Sequence, residues 1–150
     1  MTDTPGGELE RGVRILIDGD LSRLPVLLQH VRRLAASVLD EARTEDVALT
    51  VDELVVNAIQ HVGGELVIDL ALIEGALRIG VKDEDPDFRW LPEGARSGRY
   101  GLRIVDSVSD RWSMVPLDGP AAGKVVWADF DLPQPNDTEP GSNSPASPRP

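Results

Sequence analysis

The chain reads as an α+β two-layer sandwich with helices on one face of a mostly antiparallel, mixed sheet. Three observations carry this reading. Apolar residues recur with helical spacing in two stretches between about residues 22 and 62, and a third helical stretch follows near residue 100. Five further stretches have strand length and are rich in Val, Ile and Leu. Gly, Pro and Asp punctuate the boundaries between them. The order is β-α-α-β-β-loop-α-β-β, which places a helical layer against one sheet. At 150 residues the chain suits one domain with a sizeable core, and with 41% hydrophobic but only 4% aromatic residues that core must be aliphatic.

Val13 to Ile17 is the first strand. Asp20 or Ser22 can cap the helix that follows, whose first turn holds Pro25 and which extends to about Leu39. Leu24, Leu27, Leu28, Val31, Leu34 and Val38 supply its buried stripe. Thr44 is the expected cap of the second helix, which stops at Gly63-Gly64. Glu65 to Ile73 and Ala76 to Lys82 are strands joined as a hairpin at Glu74-Gly75. Asp83 to Gly98 carries three acids in Glu84-Asp85-Pro86-Asp87, two prolines and Gly94, and reads as a long mobile loop. A third helix runs from about Tyr100 to Ser109. Arg111 to Pro116 and Lys124 to Asp131 then pair as antiparallel strands. Residues 1–10 form a flexible arm, 11–132 the folded domain, and the Pro/Ser-rich run 133–150 a disordered tail.

The formal charge is −11, from 26 acids against 15 bases, which disfavours a grip on a phosphate backbone and argues against a nucleic-acid partner. The chain has no cysteine, so a disulfide framework and a thiolate metal site are both excluded, and a reducing compartment suits it. His30 and His61 are a thin supply for zinc. No apolar run approaches the roughly 20 residues of a bilayer span, and the N-terminus has no signal core. The expectation is a cytoplasmic protein with no membrane partner.

The most informative stretch is Glu53-Leu54-Val55-Val56-Asn57-Ala58-Ile59-Gln60-His61. On a helix, Glu53, Asn57 and His61 lie four residues apart along one face. Val51, Leu54, Val55, Ala58, Ile59 and Val62 form a separate apolar stripe. One side of this helix is therefore built for a core, and the other is either chemical or merely solvated.

Five blocks in order, Glu53-Leu54-Val55-x-Asn57-Ala58-x-x-His61, Val81-x-Asp83, Gly98-Arg99-Tyr100-Gly101-Leu102-Arg103-Ile104-Val105, Asp110-Arg111-Trp112 and Gly123-Lys124-Val125-Val126-Trp127, resemble a known family. It is the anti-sigma regulatory factor and serine/threonine kinase branch of the Bergerat (GHKL) ATP-binding superfamily, and in particular the small stand-alone actinobacterial ATP-binding regulators. The likeness covers about residues 45–131. It implies ATP and Mg2+ as cofactors, with Asn57 holding the metal through a hard oxygen and Glu53 as catalytic base. Asp83 would be the main base contact, accepting from the adenine amino group. Gly98, Arg99, Gly101 and Leu102 would surround the phosphates at the positive end of the third helix, with Arg103 nearby. A flexible hinge needs glycine just as much, and a surface arginine can be simply solvated. His61 would contact the lid or the first strand, or be a hydrogen-bonded structural histidine. Trp112 and Trp127 read most simply as core and strand residues.

The resemblance implies a protein kinase that phosphorylates a serine or threonine of an anti-anti-sigma (STAS-type) partner and sequesters a sigma factor, acting as a homodimer. The chain departs from the superfamily after Asp83, where Asp-x-Gly-x-Gly is replaced by Asp83-Glu84-Asp85-Pro86-Asp87. That departure opens a second reading, a non-catalytic partner-binding module with a degenerate nucleotide site. A third, the catalytic half of a histidine kinase, fits less well, with His30 its sole phosphoacceptor contender.

Overall fold

The computed structural model describes residues 12–61, 64–84, 99–118 and 123–134. The expected arm, the loop segment 85–98 and the tail from residue 135 lie outside the described residues. The elements are β1 (Gly12–Ile17), α1 (Leu24–Ala36), α2 (Glu41–His61), β2 (Leu66–Ile73), β3 (Ala76–Asp83), α3 (Arg99–Val108), β4 (Arg111–Leu117) and β5 (Gly123–Asp131). This is the predicted order, and the fold is the two-layer α+β sandwich.

The five strands lie in the order β1-β2-β3-β5-β4. Every pairing is antiparallel, so the expected mixed sheet is corrected to an antiparallel one. The crossover from β3 through α3 to β4 does connect two strands of the same direction. β5 inserts between them and pairs antiparallel with both, so no parallel ladder forms.

Alternation sorts each strand between two faces. Leu66, Ile68, Leu70, Leu77, Ile79, Val81, Val126, Ala128 and Phe130 are buried toward the helices, and Ile68–Val81, Leu70–Ile79 and Leu77–Phe130 stand directly opposite one another. From above, α1 contributes Leu27, Val31 and Ala35 and α2 contributes Val47, Val51, Leu54, Val55 and Ala58. α2 is the central helix: it packs on α1 and on α3, and lies over β3 and β5. The apolar stripe expected on α2 is the buried one, except that Ile59 is only partly covered and Val62 is outside the described residues.

The opposite face of the sheet carries charge in register. Arg14 bonds Asp69 across β1 and β2 at 2.8 and 3.1 Å. Arg78 bonds Asp129 across β3 and β5 at 2.7 and 2.9 Å and also stacks on Trp127, 4.3 Å from the ring centroid. Arg111 of β4 pairs with Asp131. Trp127 is thus a strand residue on this outer face, whereas Trp112 packs against the core and donates its Nε1–H to Asp106 of α3 at 2.8 Å.

Two helix boundaries differ from expectation. α1 ends at Ala36, where Ser37 turns its hydroxyl back to the Leu34 carbonyl at 2.6 Å and the Leu39 amide bonds Ala35 at 2.8 Å. Asp20 caps a short 3-10 turn, Leu21–Arg23, that leads into α1. α2 is capped by Asp40, whose Oδ1 accepts from the Arg43 amide at 2.8 Å, four residues ahead of the cap expected at Thr44. Asp caps better than Thr and also sets a negative charge at the positive end of the helix. Thr44 lies buried inside the first turn, its hydroxyl without a partner among the described residues.

Candidate functional site

The ends of several elements from both layers meet at one edge of the sandwich. At the far edge, Arg43 in the first turn of α2 donates to the Val108 carbonyl, the last residue of α3, at 2.7 Å, and to Asp110 at 2.6 Å. The C-terminal turns of α2 and the N-terminal turn of α3 therefore point to the other edge. There β2 begins, β3 ends at Asp83 and β5 begins at Gly123, with Asp83 and Lys124 opposite each other in the ladder. The turn after β1 closes the same edge. Gly19 has a φ of +81°, and a Cβ on it would stand 2.9 Å from the Gly64 carbonyl oxygen, so only glycine fits.

Glu53 and Asn57 lie one turn apart on α2, both half-buried, on a face separate from the buried stripe. Burial raises the Glu53 carboxyl above the ordinary glutamate range, and the neighbouring charge of Asp52 adds to the shift. A carboxylate in that state is a better proton acceptor than a solvated one. His61 is the last residue of α2, placed by its backbone alone.

Asp83 is a buried carboxylate, its side chain 3% exposed, at the end of a core strand. Its charge is matched by Lys124, whose Nζ is 3.0 Å from Oδ2 and 3.3 Å from Oδ1. A buried carboxylate without such a match would carry a large desolvation cost. Gly123 makes the junction possible: a Cβ there would fall 2.1 Å from the Asp83 carbonyl oxygen, so the two strands approach at a distance that no side chain allows.

Arg99 and Gly101 lie in the first turn of α3, placed by their backbone, and Gly98 lies outside the described residues. Leu102 turns its side chain against the core, and Arg103 is exposed. The expected residues that are described thus collect at one edge, from α2, the end of β3 and the start of α3.

Sequence reasoning gave no role to Lys124 or Gly123, although both stand in a block it singled out. The signal was the β3–β5 register, which sets Lys124 against Asp83. Without a known pairing that register cannot be read.

The donor set suits a nucleotide. A helix N-terminus accommodates anionic phosphate, and Asp83 and Lys124 set an acceptor beside a donor at the same edge. Among the described residues no group of three or more His, Asp or Glu side chains could hold a metal alone. That is compatible with magnesium, which keeps waters and phosphate oxygens as ligands and needs only one or two from protein.

A helical layer over an antiparallel sheet, with an amide-bearing central helix packed over a core strand that ends in a buried aspartate, defines an ATP-binding domain of the GHKL type. The chain matches the family model of the histidine kinase-like ATPase domain over residues 17–130 and belongs to that family. No curated protein matches it. Among the described residues no helix is long and apolar enough to cross a membrane.

Proposed function

We propose that this protein is an ATP-binding, anti-sigma-factor-like regulator with serine/threonine kinase activity toward an STAS-type anti-anti-sigma partner. It works in the cytoplasm as a homodimer and also binds a sigma factor. The observation that carries the reading is the collection at one edge of the polar face of α2, the buried carboxylate of Asp83 and the first turn of α3. Asn57 would hold the magnesium ion and Asp83 would take the adenine amino group. Bound ATP supplies the transferable phosphoryl group. Glu53, its proton affinity raised by burial, takes the proton of the acceptor hydroxyl, and the N-terminal turn of α3 with Gly98, Arg99 and Gly101 surrounds the phosphates. Phosphoryl transfer asks mainly for such positioning and charge neutralisation. The absence of cysteine supports a reducing compartment.

One observation favours a second reading, a partner-binding module with a degenerate nucleotide site: Glu84-Asp85-Pro86-Asp87 stands where the superfamily has glycines, and acids repel a triphosphate. A thermal melt separates the two. Magnesium and ATP at a hundredfold their Kd stabilise the fold by about 2.7 kcal/mol, and Asn57→Ala removes the effect. No shift at millimolar nucleotide leaves only the binding module. Labelled ATP with a STAS-domain partner then yields acid-stable phosphoserine or phosphothreonine, where a histidine kinase would give an acid-labile product.

A further inference from the structure

We infer that Lys124 reads the base together with Asp83, so that the nucleotide seat offers a purine an acceptor and a donor side by side instead of a lone carboxylate. This rests on the nucleotide-binding reading above and adds to it one residue and one ring atom.

Asp83 and Lys124 are opposite each other in the β3–β5 ladder, and both project toward the helical layer, as do the buried Val81 and Val126 two positions further along their strands. Their heads are held at hydrogen-bond distance, with the Lys124 side chain 15% exposed and that of Asp83 3% exposed. An ionised carboxylate only accepts hydrogen bonds and an ammonium only donates them, with three N–H groups to distribute. The pair is therefore a two-point edge of fixed polarity. A 6-aminopurine presents the complementary edge, an amino donor beside the N1 acceptor. With the amino group on Asp83, Lys124 donates to N1.

The pair is also preorganised. Gly123, next to Lys124, packs so closely on the Asp83 carbonyl that no side chain fits between the two strand ends. A base therefore meets a finished edge, which costs little ordering on binding.

The test is calorimetric titration of the full chain with ATP and with its 1-deaza analogue, in which ring N1 is replaced by C–H. Wild type is expected to bind the analogue about tenfold more weakly, the worth of one charge-assisted hydrogen bond. Lys124→Met is expected to bind ATP about tenfold more weakly than wild type and to treat the two nucleotides alike. Lys124→Arg keeps a donor and is expected to keep the preference. A merely structural lysine would lower affinity for both nucleotides equally. Equal penalties for the analogue in wild type and Lys124→Met, or none in wild type, overturn the assignment while leaving ATP binding intact. Failure of wild type to bind ATP at all overturns the nucleotide-binding reading itself. If Lys124→Met does not fold, a wild type that binds ATP and the analogue equally still overturns the assignment.

Discussion

The guanidinium of Arg43 donates to the Val108 carbonyl at 2.7 Å and so closes the C-terminus of α3 with a side chain from the first turn of α2. The same group bonds Asp46 and Asp110 and lies 5.0 Å from the Phe130 ring centroid, so one partly buried cation joins both helices to the start of β4 and the end of β5. A cation at a helix C-terminus is favourably placed against the dipole. Arg43→Met is expected to lower stability by about 2 kcal/mol, because charge-assisted bonds are lost and the α3 carbonyl is left without its donor. Urea unfolding measures this. Unchanged stability would mean that α3 is held by packing alone.

At the other edge, the Gly123–Asp83 approach sets a steric limit. Gly123→Ala places a Cβ 2.1 Å from the Asp83 carbonyl oxygen. The backbone must move, which is expected to cost about 1–3 kcal/mol and to shift the Asp83–Lys124 pair with it. Chemical denaturation should show the loss, and nucleotide titration should show weaker binding than the stability change alone explains.

Glu53 gives a pH signature. Its carboxyl is raised above the ordinary value of 4.5, chiefly by burial. The folded state therefore binds more protons than the unfolded state between that value and the raised one, and stability falls as pH rises through this window. Glu53→Gln removes the charge and is expected to be more stable than wild type at neutral pH. The difference vanishes below pH 4.5. Melting curves across pH check the sign, and a loss of phosphoryl transfer in the same variant would agree with its proposed role as base.

Thr44 offers a gain. Its hydroxyl is buried without a partner among the described residues, while its methyl and helical position suit valine. Thr44→Val is expected to raise stability by about 1 kcal/mol, since an unsatisfied buried hydroxyl is removed with little change of shape. A drop in the denaturation midpoint would show that the hydroxyl is satisfied.

Much of this was legible in the chain itself, and the exceptions have physical causes. Element order and the buried stripe of α2 follow from apolar period, which is local information. A threonine ahead of an apolar run predicts the cap of α2 at Thr44. Asp40 wins because its carboxylate accepts from the Arg43 amide and so opens the helix one turn earlier, with a negative charge at its positive end. The antiparallel sheet and the Asp83–Lys124 pair depend on β5 lying between β3 and β4, a fact of topology that no single stretch encodes. Trp127 is a strand residue as expected, and its alternation with Val126 and Ala128 puts it on the outer face, under Arg78.

The ion pairs of that outer face leave the sheet close to electrical neutrality. Arg14, Arg78, Lys82 and Arg111 there outnumber Asp69, Asp129 and Asp131 by one. The strands together hold five cations against four anions, and the chain's −11 resides almost wholly on the connecting and terminal segments, the three α-helices summing to only −1. The outer face of the sheet is therefore close to neutral, its charges matched across the strands, so an approach to it is steered only weakly by long-range fields and depends little on added salt.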